Sequence, residues 1–126
     1  MPLHGTPYWN ELSTDNLEGA KTFYSRMLGW DFDESPTPFG PYVVAKAHRE
    51  MTAGMMGIPM EGMTSQWVPY FQVDDVDAAL AQVEAAGGKA MTPITEVEGV
   101  GRMFWATDPG GAMVAFMTAY DAPSDG

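Results

Sequence analysis

The chain has 126 residues, no cysteine and a formal net charge of −11 at pH 7. This length fits one domain, and the lack of cysteine excludes disulfides, cysteine-based metal sites and thiol nucleophiles. The 6 cationic side chains are scattered among 17 acidic ones, so no basic surface for nucleic acid or an anionic membrane is expected. We see no apolar run that could span a bilayer and no secretory signal, and we therefore expect a cytoplasmic protein.

The first half of the chain predicts the element order β-α-β-β-β. Residues 6–12 are rich in apolar and aromatic side chains, which is typical of a strand. Asp15 and its polar neighbours offer N-caps for a helix whose apolar side chains recur over residues 17–28, and Gly29 ends it. Prolines and glycine at residues 36–41 indicate a turn. The remaining strands of this half are predicted at residues 30–33, 42–48 and 52–58.

The second half of the chain predicts the same order. Residues 67–73 predict a strand, Asp74 and Asp75 can cap a helix that starts at Val76, and residues 87–88 end this helix with two glycines. The later strands are predicted at residues 89–92, 101–107 and 112–119, and the turn Asp108-Pro109-Gly110-Gly111 joins the last two. An offset of about 59 residues pairs Asp15 with Asp74, Leu17 with Val76, Ala20 with Ala79, Tyr24 with Val83, and Gly29 with Gly88.

This internal repeat predicts one domain, residues 1–126, that is built from two modules. The first module spans about residues 6–58 and the second about residues 67–119. A loop at residues 59–66, rich in glycine and methionine, joins the modules, and residues 120–126 form a tail. The predicted fold class is α+β.

Three stretches of the sequence resemble the vicinal oxygen chelate superfamily, which includes glyoxalase I, bleomycin-resistance proteins, fosfomycin-resistance enzymes and extradiol dioxygenases. They are ELSTDNLEGAKTFYSRMLGW, YFQVDDVDAALAQVEAAGGK and GRMFWATDPGGAMVAFM, and they cover most of residues 7–118. The first resembles the family's strand, capped helix and Phe-Tyr-x₃-Leu-Gly pattern, and the last resembles its Asp-Pro-x-Gly hairpin. The resemblance implies two βαβββ modules whose eight strands form an incomplete barrel, or cup, with the site inside and the helices outside.

The resemblance also implies where a metal would bind. Metal-dependent members place a His, Glu or Gln ligand on the first and last strand of each module, and these ligands hold a divalent ion that chelates two substrate oxygens. In this sequence the positions fall near Tyr8, Val68, Ala115 and the pair Met55 and Met56. None of these side chains is a normal ligand of a hard divalent cation. We therefore expect no bound metal and no cofactor.

Side-chain alternation, counted from these positions, predicts the lining of the cup. On the first strand it turns Leu12 inward. The predicted ligand-binding side chains are aromatic, thioether or amide groups, namely Tyr8, Asn10, Tyr70, Gln72, Met103, Trp105, Met113 and Met117. Such a wall suits an apolar or planar ligand, because methionine adapts its shape and aromatic rings stack. Alternatively, these side chains fill the barrel and leave no cavity.

The charged and titratable candidates each allow two interpretations. Glu11 lies among aromatic residues and is either a general base or a buried structural acid, and alternation turns it toward the helix. Arg102 either binds a ligand carboxylate or covers a surface acid. His4 and His48 are expected on the surface, and Asp108 is expected to form the turn.

Three classes of function follow from the sequence. We favour a cup that binds a small apolar or aromatic molecule without a metal, and at net charge −11 we expect uncharged or cationic compounds to bind better than anions. The alternative is an enzyme of lyase or dioxygenase type, which is metal-free through Glu11 or Tyr8 or metal-dependent with ligands that we have misplaced. The third class is a protein that binds another protein. The loop at residues 59–66 permits this function but does not favour it. Exposed sheet edges and the resemblance also imply a homodimer.

Overall fold

The structure is a computed structural model that describes residues 2–37 and 40–120. The chain forms two compact units, the first from residues 9–68 and the second from residues 2–8 with 69–120. Residues 121–126 of the predicted tail lie outside the described part of the chain. The strands are β1 (Pro7–Thr14), β2 (Asp31–Thr37), β3 (Gly40–Ala47), β4 (Glu50–Gly57), β5 (Gln66–Gln72), β6 (Lys89–Ala90), β7 (Thr95–Val97), β8 (Gly101–Thr107) and β9 (Met113–Ala119). The helices are α1 (Leu17–Leu28) and α2 (Val76–Gln82).

The first unit packs α1 on a mixed sheet with the strand order β2-β3-β4-β1. The strands β2, β3 and β4 are antiparallel, and β1 joins β4 in parallel. The Asn16 side chain caps α1 by accepting a hydrogen bond from the Gly19 N–H, and Gly29 ends the helix in the left-handed conformation. The buried core consists of Leu12, Val43, Ala45, Ala53 and Met55, and Leu17, Ala20, Tyr24, Trp30, Phe32 and Trp67 pack against it.

The hairpin of β2 and β3 is longer than the sequence predicted. Pro36 and Pro41, which indicated a turn, pair with each other across the two strands, and Thr37 pairs with Gly40. The predicted turn therefore loses its first two and its last two residues to the hairpin. Pro36 is tolerated because β2 lies at the edge of its sheet, where a missing N–H leaves no ladder bond unmade.

The second unit packs α2 on a sheet with the order β5-β9-β8-β6, and β7 pairs with another part of β8. The strands β5 and β9 are parallel, whereas β8 and β9 form the predicted antiparallel hairpin. The buried core beneath α2 consists of Val73, Val76, Phe104 and Ala106. Sequence reasoning missed β7, whose three residues are all exposed, so it carries no apolar alternation that could reveal it.

The two units confirm the predicted α+β class and the two βαβββ modules. In each module the first strand pairs in parallel with the last, β1 with β4 and β5 with β9. The cup remains a prediction. Neither helix within residues 2–37 and 40–120 is both long and apolar enough to cross a membrane.

Candidate functional site

One face of the sheet in the second unit gathers six of the predicted ligand-binding side chains. Strand pairing places Tyr70 beside Ala115 and Ala115 beside Trp105. Residues that pair directly across strands point to the same face of a sheet. The same register adds the next pairs of this face, which we call the Tyr70–Trp105 face and which comprises Tyr70, Gln72, Met103, Trp105, Met113 and Met117.

The Tyr70–Trp105 face lies opposite the face that α2 covers. Phe104 and Phe116 alternate with its residues along β8 and β9; Phe104 belongs to the core cluster beneath α2, and Phe116 packs against this cluster. Met103 and Met113 are half-buried, and Met117 is fully buried. All of the predicted aromatic and thioether side chains except Tyr8 therefore share one surface of one unit.

An aromatic pair is the centre of this face. The Trp105 Nε1–H donates a hydrogen bond of 2.6 Å to the Tyr70 hydroxyl oxygen. The two rings are edge to face, with centroids 6.5 Å apart and an interplanar angle of 80°, which is a favourable aromatic geometry. Both side chains are buried. The hydrogen bond fixes the orientation of the indole, so the pair is a rigid element of the face.

Gln72 was predicted to bind a ligand, but its side chain bonds to the backbone instead. Its Nε2 donates to the Val73 carbonyl oxygen at 3.1 Å, and its Oε1 accepts from the Ala119 N–H at 3.0 Å. The side chain is fully buried. Because both ends of the amide bind backbone groups of the same unit, its role is to join β5 to β9, and we assign it no ligand contact.

A buried carboxylate lies in the first unit. Glu11 is 6% exposed and accepts a hydrogen bond of 2.8 Å from the Tyr42 hydroxyl group. The Tyr42 oxygen in turn accepts a hydrogen bond of 3.2 Å from Trp9 Nε1–H. Burial and the negative charge of Glu11 raise the pKa of Tyr42 well above its usual value. The phenol therefore stays protonated and keeps donating to Glu11.

Gly54 makes this contact possible. It pairs with Glu11 across β1 and β4, and a Cβ atom at this position would lie 1.9 Å from the Tyr42 hydroxyl oxygen. Only glycine leaves the space through which Tyr42 reaches Glu11. Sequence reasoning missed Tyr42 and Gly54, although a lone glycine inside a strand is a recognised signal of a close approach.

The predicted orientation of β1 is wrong by one residue. Leu12 belongs to the core that packs against Leu17 and Ala20 of α1, so it faces the helix. Glu11 and Trp9 therefore lie on the opposite face from α1, whereas the sequence had turned Glu11 toward the helix. Asn10 and Tyr8 alternate with Glu11 along the strand and are exposed. Their side chains therefore point to the other face of the sheet from Glu11.

The residues near the predicted ligand positions do not fit a divalent metal. Met55, Val68 and Ala115 are fully buried apolar side chains, and shifting the first position by one residue replaces Tyr8 by Trp9, whose indole is no metal ligand. In the described part of the chain no three His, Asp or Glu side chains come together as a metal site would need. We therefore derive no chemistry from a metal.

Arg102 contacts a surface acid. Its guanidinium donates to both carboxylate oxygens of Asp77 on α2, at 2.6 and 3.2 Å. The hydrogen bond from Arg102 lowers the pKa of Asp77. Of the two roles that the sequence left open, the structure shows the pairing with an acid, and the ion pair links β8 to α2.

The remaining candidates lie at the surface. His4 is exposed, and its Nδ1 accepts a hydrogen bond of 2.9 Å from the Asp74 N–H. His48 is exposed in the turn between β3 and β4 and has a positive φ of 52°. Asp108 accepts hydrogen bonds from the Gly110 and Ala112 N–H groups at 2.9 and 3.0 Å, which is the turn-forming contact that the sequence predicted.

Two cavities lie beside the helices, one in each unit. The first, of about 440 Å³, lies between α2 and its sheet, and we call it the α2 cavity. The second, of about 450 Å³, lies at the start of α1 and is lined by residues such as Asn16, Tyr24 and Trp67. Neither cavity is lined by the Tyr70–Trp105 face or by Glu11.

Comparison with known proteins identifies the family. Residues 8–116 match the model of the glyoxalase/bleomycin resistance protein/dioxygenase superfamily. The match covers most of the chain, so the chain belongs to this superfamily, and the resemblance seen in the sequence is confirmed.

Two curated relatives and one solved structure illustrate the range of the match. "Putative glyoxylase CFP32" of Mycobacterium tuberculosis is 39% identical over 120 residues, which are 91% of this chain and 46% of the relative. "Anthracycline biosynthesis protein DnrV" of Streptomyces peucetius is 29% identical over 126 residues, covering 88% of this chain and 46% of the relative. The chain thus spans about half the length of these relatives. Methylmalonyl-CoA epimerase from Mycobacterium tuberculosis shares the fold, with a TM-score of 0.63, 13% identity and coverage of 96% of this chain and 93% of the epimerase.

Proposed function

We propose that this chain binds a planar, uncharged aromatic molecule on the Tyr70–Trp105 face and that binding needs no metal. The single observation that carries the proposal is the hydrogen-bonded pair of Trp105 and Tyr70 among Met103, Met113 and Met117. The hydrogen bond fixes the buried indole, so a ligand that packs on it costs little conformational entropy, and the half-buried Met103 and Met113 adapt to the rest of the ligand.

Charge supports an uncharged ligand over an anion. Arg102 is paired with Asp77, and the net charge of the chain is −11. A ligand carboxylate would have to compete with Asp77 for the guanidinium and enter against the field of the whole chain. Binding on the Tyr70–Trp105 face therefore depends on apolar burial, which contributes roughly 25 cal/mol per Å² before the cost of immobilisation.

The name of one relative is consistent with an aromatic ligand. One relative is named for anthracycline biosynthesis, and anthracyclines are built on a planar polycyclic quinone. The anthraquinone nucleus is therefore the probe that we choose. It is available with a neutral or an anionic substituent at the same position, so charge can be varied while the ring is kept.

The test compares 2-(hydroxymethyl)anthraquinone with anthraquinone-2-carboxylate by isothermal titration calorimetry. The neutral compound is expected to bind at least about tenfold more tightly, because the anion meets the negative field of the chain. The variant Trp105→Phe is expected to weaken binding of the neutral compound by about five- to tenfold, since it removes stacking area and the bond to Tyr70.

A matched control exists in the first unit. Trp67 also donates its Nε1–H to a tyrosine hydroxyl, that of Tyr24, at 2.9 Å, and the two rings are also edge to face. Trp67→Phe therefore makes the same change away from the proposed face and should leave the affinity unchanged. Equal loss of affinity in both variants, or tighter binding of the carboxylate, would overturn the proposal.

A second candidate, a metal-free enzyme, is favoured by the contact between Glu11 and Tyr42. A carboxylate can act as a general base, and the hydrogen bond from Tyr42 holds the Glu11 carboxylate in one position. One relative is named a glyoxylase, so the probe is the hemithioacetal of methylglyoxal and glutathione, offered to EDTA-treated protein. Turnover that Glu11→Gln abolishes and Tyr8→Phe preserves would support this candidate, and no turnover would reject it.

We also propose that the chain forms a homodimer. The edge strand β2 lies at one end of its sheet, and exposed strand edges are commonly covered by a partner. Light scattering at micromolar concentration tests this proposal. Twice the monomer mass of 13.7 kDa is expected, and a constant monomer mass would contradict it.

A further inference from the structure

The α2 cavity lies where the second module lacks the aromatic side chains that pack beside α1 in the first module. In the first unit Tyr24 stacks on Trp30, with centroids 5.5 Å apart, and contacts Trp67 edge to face. The internal repeat pairs Tyr24 with Val83 and Trp30 with Lys89. The α2 cavity is therefore lined by Val83 where the equivalent cavity beside α1 is lined by Tyr24.

The walls of the α2 cavity are apolar and come from both layers of the second unit. α2 and the turn after it contribute Ala79 and Val83, and the sheet contributes Ala106, Val114 and Phe116. The small alanines leave unfilled the space that larger side chains would occupy. A volume of about 440 Å³ lies within the range of small-molecule sites.

The rim of the cavity is acidic. Asp74, Asp75 and Asp108 line it, together with Gln82 and with His4, whose Nδ1 lies 3.8 Å from Asp74 Oδ2, and its lining residues include no lysine or arginine.

Backbone contacts hold two of these carboxylates at the rim. Asp75 Oδ1 accepts hydrogen bonds from the N–H groups of Asp77 and Ala78. The turn at Asp108 is held in the same way. These side chains belong to a helix cap and a turn that hydrogen bonds fix, so their charges stay at the rim of the α2 cavity.

We propose that the α2 cavity is a second binding site and that its ligand is an organic amine with an aromatic or branched apolar body. The body lies against Ala79, Val83 and Phe116, and the ammonium group lies among the rim carboxylates. Apolar walls and a negative rim are complementary to such a cation and repel an anion of the same shape. The site is independent of the function proposed above, because α2 covers the opposite face of the sheet from the Tyr70–Trp105 face.

The alternative occupant would be the end of the chain itself. Residues 121–126 add two aspartates, Asp121 and Asp125, and no cation. Their charge matches that of the rim and therefore disfavours this segment. A truncated chain that ends at Tyr120 allows amine binding to be measured with and without this segment.

The test uses 2-naphthylmethylammonium, with 2-naphthoate as its anionic counterpart, at about pH 8, where histidine carries little charge. Binding is followed by calorimetry and by amide chemical shifts. The amine is expected to shift the amides around Ala79, Val83 and Val114 and to bind at least about tenfold more tightly than the naphthoate. Added salt should reduce this difference, because the rim is exposed.

Two sets of variants separate the walls from the rim. Ala79→Leu fills the cavity and should weaken amine binding about tenfold or more. Ala81→Leu makes the same change on α2 at an exposed residue that does not line the cavity, and it should have no effect. The combined variant D74N/D75N/D108N keeps oxygen acceptors for the caps and should remove the preference for the cation.

Three results would overturn this proposal. The first is amine binding that Ala79→Leu leaves unchanged. The second is naphthoate binding as tight as that of the amine. The third is a tenfold gain in amine affinity when the chain ends at Tyr120, which would show that the end of the chain competes for the cavity. Trp105→Phe should not change amine binding, so failure here is distinguishable from failure of the anthraquinone proposal.

Discussion

Gly54 provides the space in which the Tyr42 hydroxyl group donates its hydrogen bond to Glu11. A buried carboxylate is costly unless hydrogen-bond donors satisfy it, and Tyr42 supplies one by passing over the position where any other residue would carry a Cβ atom. Gly54 is therefore required because it has no side chain, and not because of its backbone conformation. The same contact would hold the carboxylate in place if Glu11 acts as a base.

Gly54→Ala is expected to destabilise the protein by about 3 kcal/mol, because the methyl group displaces Tyr42 and breaks its bond to Glu11. The control is Gly57→Ala on the same strand, where an added Cβ meets nothing within 4 Å, and its effect should stay within about 0.5 kcal/mol. Urea denaturation measures both. Equal stabilities would show that Tyr42 moves aside without cost.

Tyr42 also predicts a pH dependence. Its pKa is raised in the folded protein, whereas an unfolded tyrosine titrates near about 10. Above that pH the unfolded state loses its proton before the folded state does, so stability is fully present below about pH 10 and falls as the pH rises further. Tyr42→Phe should reduce this alkaline loss in urea denaturation, and the exposed Tyr8→Phe should not. A loss that is identical in the wild type and Tyr42→Phe would contradict the assignment.

The helix α1 depends on an aromatic group that α2 lacks. Tyr24 stacks on Trp30 and accepts a hydrogen bond from Trp67, and the repeat places a valine at the equivalent position of the second module. The two helices thus meet their sheets in different ways, although the modules share one order of elements.

Tyr24→Val copies the second module into the first and should destabilise the protein by about 3 kcal/mol, since it creates a void and leaves the Trp67 N–H without its acceptor. Phe23→Val is the control, because Phe23 is the neighbouring aromatic residue and is 54% exposed. Thermal denaturation should separate the two variants clearly. Equal melting temperatures would mean that Tyr24 contributes little to packing.

Sequence reasoning succeeded where periodicity and caps were strong. Leu17, Tyr24 and Gly29 located α1, and the turn at Asp108 located the hairpin of β8 and β9. It failed on the orientation of β1. The last four residues of this strand, Glu11–Thr14, are all buried. Burial on both faces removes the alternation of apolar and polar residues from which the orientation of a strand is predicted.

Contacts between distant residues were beyond the reach of pattern reasoning. Tyr42 meets Glu11 across 31 positions of sequence, and the Gln72 side chain binds the backbone of Ala119 across 47. Neither contact leaves a local signature in composition or spacing. The aromatic and thioether face was easier to predict, because alternation along β5 and β9 is regular.

At the scale of the whole molecule, one repeat has produced two units with different chemistry. The first unit holds a buried acid with its tyrosine, and the second holds the Tyr70–Trp105 face and the α2 cavity. The superfamily includes proteins whose chemistry depends on a metal, but the corresponding positions here are apolar. The net charge of −11 favours neutral or cationic ligands throughout.

Metal-independent binding of a planar aromatic is tested most directly by calorimetric titration of EDTA-treated protein with 2-(hydroxymethyl)anthraquinone, without and with added Mn²⁺ or Ni²⁺. Because the residues near the predicted ligand positions include Val68 and Ala115, we expect the same affinity under all conditions and no stoichiometric metal in elemental analysis. Binding that appears only after one equivalent of metal per chain has been taken up would contradict the proposed function.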